Sequence, residues 1–224
     1  MTSKSSESRG DKRRDEILRT ALALFNTRGT AAVSTNHIAA ELGISIGNLY
    51  WHFADKDAIV RALYEEHTQK FDEMWSPAAR PIDAAEVLVG ALRRTFTISW
   101  ERRFFYRELP ALTRSDPELR KLYTAQRERR HAEIRAFQNS FVELGLLDVP
   151  GGDAGLARLE DMSWMISAFW LPHVELRDGS LTKHGALTGA RAVVDLYLPY
   201  ATKDFARALT LALKHADDET GAAR

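Results

Sequence analysis

The 224-residue chain reads as all-α, with an N-terminal three-helix helix-turn-helix domain joined by a fourth helix to a larger helical domain. Three observations predict this. Apolar residues recur at three- and four-residue spacing along most of the chain, with no sustained alternation and few β-branched runs that would mark strands. Glycines close several of these periodic stretches, and Ser, Thr or Asp residues open them. Two of the stretches are short and meet at one glycine, Gly43, the spacing of a tight two-helix turn.

The first ten residues are polar, and residues 1–11 are expected to form a disordered tail. A helix is predicted from Lys12 to Arg28. Its apolar stripe is Ile17, Leu18, Ala21, Leu24 and Phe25, and Gly29 stops it. Ser34 is a candidate cap for a second helix with Ile38, Ala39 and Leu42 inward. Ser45 is a candidate cap for a third helix, with Leu49, Tyr50 and Phe53. Asp55 opens a fourth, whose stripe is Ile59, Leu63, His67, Phe71 and Trp75. Pro77 and Pro81 break the pattern, so the first domain is placed at 12–76 and the second at 82–214. In the second, helices are predicted near 83–102, 104–112, 117–144, 153–177, 182–198 and 203–214. Residues 215–224 are expected to fray.

Composition narrows the function classes. There is no cysteine, which rules out disulfides and cysteine-bound zinc. The polar N-terminus is not a signal peptide, and no apolar run approaches the roughly 18 residues of a membrane helix, so a cytoplasmic location is expected. The net charge is zero, yet Lys12, Arg13 and Arg14 form a local basic cluster, and local charge governs phosphate contact. No HExxH, GxSxG or phosphate-loop pattern occurs. His173 and Glu175 are two apart and point to different helix faces, so neither an enzyme nor a metal or cofactor site is expected.

The stretch STNHIAAELGISIGNLYWHF meets the demands of a DNA-reading helix pair. Ala39 is a small residue four positions before the Gly43 turn. Ile38, Leu42, Ile44, Leu49 and Phe53 form an inward set. Ser45, Asn48, Trp51 and His52 are left facing out, near the end of the recognition helix where base edges lie. Gly47 removes a side chain at a close approach of the backbone. A pair of packed helices that reads no DNA remains the alternative on this pattern alone.

The longer match, from Ile17, Leu18, Ala21, Leu24, Phe25 and Gly29 through Thr35, Ile38, Ala39, Leu42, Gly43, Ser45, Gly47, Leu49, Tyr50, His52, Phe53 and Lys56, resembles the N-terminal domain of TetR-family regulators. It departs at Ile46, where many members carry Pro, Lys or Arg. The resemblance implies phosphate contacts at Thr35, Tyr50 and Lys56, and a recognition helix bearing Ser45, Gly47, Asn48, Trp51 and His52. Asn48 is the candidate base reader, because its amide can pair with an adenine edge. Tyr50 can also pack on the first helix, and His52 can instead serve a structural hydrogen bond. The implied partners are a palindromic double-stranded operator, a second copy of the chain and a small-molecule effector, with no membrane. The effector would act on a repressor and be apolar or amphipathic; a regulator governed by a protein partner is the alternative.

For the effector pocket the candidates are Trp100, Phe104, Phe105, Trp164, Met165, Phe169 and Trp170, residues that a helical core uses equally well. Trp164, Ile166, Phe169, Leu171, Ala190, Val193, Val194, Tyr197 and Leu198 form either a dimer interface or the domain's own core. RRFFYRELPALTRSDPELRKLY, residues 102–123, resembles a subgroup of the same family, but points to no ligand class. The basic run from Arg120 to Arg130 is read as a solvated helix face with i,i+4 pairs, Glu128 among them.

Overall fold

The computed structural model describes residues 3–72, 74, 80 and 83–221, with side chains described between Gly10 and Asp218. Eleven α-helices account for most of it: α1 Ser3–Arg28, α2 Thr35–Leu42, α3 Ile46–His52, α4 Lys56–Gln69, α5 Ala84–Glu101, α6 Arg103–Ser115, α7 Pro117–Glu143, α8 Gly152–Asp178, α9 Lys183–Leu187, α10 Gly189–Tyr197 and α11 Lys203–Gly221. A 3-10 turn at Leu198–Tyr200 and an isolated antiparallel bridge between Leu147 and Ala201 complete the pattern.

The helices divide into two compact units, and neither is continuous in sequence. One comprises residues 1–69 with 102–123, the other residues 70–101 with 124–224. The predicted boundary at Pro77 and Pro81 lies outside the described residues. The sequence places 102–123 with the C-terminal domain; the structure places it in the N-terminal unit. The reason is apolar. Phe104, Phe105 and Leu119 are fully buried in one cluster with Ile17, Phe25, Ile38, Leu49, Ile59 and Leu63. The Phe104 ring lies 5.3 Å from Phe25, and Phe105 meets Tyr64 edge-on at 5.4 Å. Burying two phenylalanines here contributes about 3–6 kcal/mol, which fixes α6 on α1 and α4.

Polar contacts fasten the same face. The Phe104 amide donates to Asn26 Oδ1 at 3.1 Å, and Arg102 pairs with Glu66 at 3.3 Å. Asp116 caps α7 by accepting from the amides of Glu118 and Leu119, while its other oxygen takes a 2.6 Å bond from Arg61 of α4. Burial alone would raise the Asp116 pKa. The Leu119 amide, the Arg61 guanidinium and the Glu118 amide outweigh it and hold the carboxyl below its ordinary value of 3.8.

Several boundaries differ from expectation. α1 begins at Ser3 rather than Lys12, so the helix nucleated from Lys12 onward extends back through a segment rich in serine. α11 likewise continues through Gly221, with the last three residues outside the described set. α4 ends at Gln69, short of the predicted stripe through Phe71 to Trp75; Trp75 is not described. Just past that end, in the second unit, Arg130 takes the Phe71 carbonyl at 2.8 Å and the Asp72 carboxylate at 2.6 Å, and lies over the Phe71 ring. Arg130 is buried, so the basic run is not a wholly solvated face. Its acidic partners include Glu118, Asp72, Asp161 and Glu133, the last an i,i+4 pair with Arg129 as expected. The predicted 182–198 helix is broken at Thr188, where the Trp170 indole donates to the Gly185 carbonyl and the Thr188 hydroxyl. Gly189 begins the next helix, and a Cβ there would fall 2.2 Å from the Phe96 ring.

The depressed Asp116 pKa sets a pH dependence. Its stabilising contribution is complete above the ordinary value of 3.8 and is lost as pH falls through the lower folded value. Asn keeps the cap but not the charge, so Asp116→Asn should cost about 1 kcal/mol at pH 7. Urea melts between pH 7 and 3 should show the variant's deficit shrinking at the acid end; a constant deficit would refute the assignment.

Candidate nucleic-acid interface

α3 is seven residues long, too short to persist alone in water. Its position is set by its ends and one buried side chain. Ser45 caps it, its hydroxyl accepting from the Asn48 amide at 3.2 Å. Leu49 is wholly buried in the N-terminal core, with Ile44 and Ile46 packed against the same cluster. Ile46, the departure from the family pattern, is therefore an apolar anchor. α2 is held by Ser34, which caps through the His37 amide while the Ser34 amide donates to His37 Nδ1. Between the two helices Gly43 adopts φ 64°, a left-handed conformation that a side chain would strain.

This leaves one face of α3 in solvent. Ser45, Gly47, Asn48, Tyr50 and Trp51 are exposed, Trp51 at 77%. The Trp51 ring meets His52 edge-on at 4.7 Å. Beside it, Tyr50 Oη and Thr35 Oγ1 lie 3.2 Å apart. Tyr50 is half exposed. Lys56 donates its ammonium to the Thr30 carbonyl at 2.7 Å, which leaves two further N–H bonds for another acceptor. Thr35, Tyr50 and Lys56 line one open concavity of about 340 Å³ together with Ala31–Ser34, His37 and Asp55.

Arg13 and Arg14 of α1 join this face. Arg14 lies over the Phe53 ring at 5.1 Å. Burial, then the charges of Arg13 and Arg14, hold the His52 pKa below its usual 6.5. The basic cluster was visible in the sequence. Its proximity to His52, about forty residues away, was not.

The chain is similar to known proteins over most of its length. The profile of the "Bacterial regulatory proteins, tetR family" matches residues 17–63, and that of the TetR "Bacterial transcriptional repressor" matches residues 64–209. The chain belongs to the TetR family. Its helix-turn-helix is that of a family of DNA-binding transcriptional regulators. A TetR-family regulator from Marinobacter aquaeolei is 32% identical, with a TM-score of 0.81 over 90% of this chain and 97% of that one. The class C tetracycline repressor of Escherichia coli is 42% identical over 52 residues, 23% of this chain and 24% of that protein. The regulator AcrR of Shigella flexneri is 32% identical over 100 residues, 43% and 46% of the two chains. The chain thus matches between about a quarter and a half of the length of these curated relatives.

Elsewhere in this TetR-family chain the structure scatters the seven pocket candidates. Phe104 and Phe105 are closed into the N-terminal core. Trp100 is half-buried on α5; Met165 and Phe169 are half exposed on α8. Trp170 serves the break between α9 and α10. Trp164 meets a polar cluster, its ring 4.9 Å from His131.

That cluster was not anticipated, because its members come from α7, α8 and α10 with no local spacing to reveal them. Buried Glu160 accepts from His131 Nδ1 and from Arg135 Nε. Gln138 donates to Tyr197 Oη at 2.7 Å. His131 Nε2 and Gln138 Oε1 are buried without a protein partner. Of the proposed interface residues, Leu171, Ala190, Val193, Val194 and Tyr197 are buried within the chain itself; Phe169 is exposed along one α8 stripe with Met162, Met165 and Leu176. Among the described residues no group of His, Asp and Glu could hold a metal ion, and no helix is long and apolar enough to cross a membrane.

Proposed function

We propose that this TetR-family protein is a dimeric, sequence-specific repressor released from its operator by a small amphipathic molecule. The observation that carries the DNA reading is the exposed polar face of α3 beside a concavity lined by Thr35, Tyr50 and Lys56. Asn48 reads a base edge in the major groove. Thr35, Tyr50 and Lys56 hold phosphates, and Arg13 and Arg14 add positive charge. A dimer sets two such faces about 34–36 Å apart, one turn of DNA. The apolar stripe of Met162, Met165, Phe169 and Leu176 supports pairing through α8, since an exposed contiguous apolar strip marks an interaction surface.

Ligand control is supported by the orphaned His131 Nε2 and Gln138 Oε1. A buried polar atom without a partner costs about 1–3 kcal/mol, and a ligand's polar end would recover it. A ligand preferring the non-binding state lowers DNA affinity by its differential affinity for the two states.

Gel-shift titration on the DNA upstream of its own gene should give a complex of two protomers. Lys56→Ala should weaken operator and random DNA alike, and Asn48→Ala should relax sequence preference by about tenfold. Phe169→Glu should yield monomer and abolish the shift. No shift at low salt sinks the reading; equal effects of Lys56→Ala and Asn48→Ala on both DNAs sink the division of labour.

DNA phosphates should raise the His52 pKa from its depressed free value, so binding takes up a proton. Affinity should rise as pH drops from 7 towards 5.5, and His52→Gln should flatten that slope. An unchanged slope in the variant removes His52 from the interface.

Amphipathic compounds that release the wild-type protein from DNA should fail on Gln138→Leu, with DNA affinity itself retained. Equal release of both proteins would place the effector elsewhere.

A further inference from the structure

The stretch RRFFYRELPALTRSDPELRKLY stands out in the sequence without indicating a ligand. The structure gives it another use. All of it lies in the unit that carries the helix-turn-helix, as α6 and the start of α7. Within it Glu108 stands apart from the residues that merely pack.

The Glu108 carboxylate accepts the Thr30 amide at 3.1 and 3.2 Å and the Thr30 hydroxyl. Its Oε1 sits so near Gly29 that a Cβ there would fall 3.0 Å away. The Thr30 carbonyl points the other way and accepts from Lys56 at 2.7 Å and from the Val33 amide at 3.3 Å. Thr30 itself is buried. One residue of the α1–α2 turn is thus gripped from both sides, by an anion on α6 and a cation on α4. The turn it anchors runs through Ala31, Ala32, Val33 and Ser34, one wall of the concavity that holds Thr35, Tyr50 and Lys56.

We infer that Glu108 is a positioning residue for DNA binding: it touches no DNA, but fixes the Thr30–Ser34 turn so that Thr35 and Lys56 meet the backbone in register. The inference rests on the DNA reading above. Charge and position act in opposite directions here. Glu108 is an anion near a phosphate site, so Coulomb repulsion alone makes its neutralisation strengthen binding. Positioning makes the same change weaken it. The charged carboxylate accepts both donors from Thr30 and shares the amide between its two oxygens; a glutamine keeps a single acceptor for the amide, forces the hydroxyl to turn and accept from its N–H, and loses the charge that strengthens both bonds.

The test is a salt titration of wild type, Glu108→Gln and Thr30→Val against the DNA upstream of the gene and random duplex of equal length. Thr30→Val removes the hydroxyl and keeps the amide. Thermal melts confirm folding. Both variants should bind both DNAs less tightly, Glu108→Gln by about tenfold. The slope of log affinity against log salt should become shallower by about one, the signature of a lost phosphate contact. Combining the two changes should cost less than the sum of each, since they break one contact. The Thr30 amide should also exchange hydrogen faster in free Glu108→Gln. Glu108→Gln that binds as tightly as wild type or tighter, with an unchanged salt slope, overturns the inference even if exchange at Thr30 quickens. Failure of Glu108→Gln to fold leaves Thr30→Val to decide on the same criteria. Wild-type protein that shifts no DNA at low salt overturns the DNA reading, and this inference with it.

Discussion

A helix of seven residues cannot hold itself together in water, and this constraint governs the N-terminal unit. Nucleating a helical turn is unfavourable, and α3 has too few residues for propagation to compensate. Leu49 supplies the compensation, buried completely in a core drawn from α1, α2, α4 and α6. The Ser45 cap satisfies one amide that would otherwise lack a partner. Everything outside Leu49 and the capped end is then free to be polar. The exposure of Asn48, Tyr50 and Trp51 is affordable because the stability of α3 lies on the opposite face.

The same logic explains what could be read in the sequence. Caps and turns are local, so Ser34, Ser45, Asp55 and Gly43 were legible from type and spacing. Asp55 accepts from the Ala58 amide at 2.7 Å, as a cap should. The inward and outward division of α2 and α3 was legible too, because 3.6-residue periodicity sorts side chains before any tertiary contact is known. The likeness of residues 17–56 to the TetR pattern, with profile matches over residues 17–209, covers the same ground.

What escaped the sequence is non-local. Phe104 and Phe105 look the same whether they line a cavity or close a core; only α1 and α4, tens of residues away, decide. Arg130 sits in a run of charges that reads as solvent-facing, yet it is buried because Asp72 and the Phe71 carbonyl satisfy its guanidinium. The cluster of His131, Arg135, Gln138, Glu160 and Tyr197 combines three helices. Tyr197 shows its depth, for burial pushes its hydroxyl pKa up despite bonds from Ser163 and Gln138. Helix ends failed for a related reason. The helix near residue 188 stops where an indole takes a carbonyl.

The contact between Gly189 and Phe96 carries a consequence for how this chain can evolve. The Phe96 ring is completely buried, and its edge occupies the volume a Cβ on residue 189 would need. A methyl group at 189 is therefore not a small change, since it must evict a phenyl ring that has no room to retreat in a close-packed interior. Relief comes only from shrinking residue 96, and doing that first opens a cavity where the ring was. Either single step passes through a less stable protein. Across descendants of this sequence the two positions should persist together or be exchanged together, and a lineage carrying one change without the other should be short-lived.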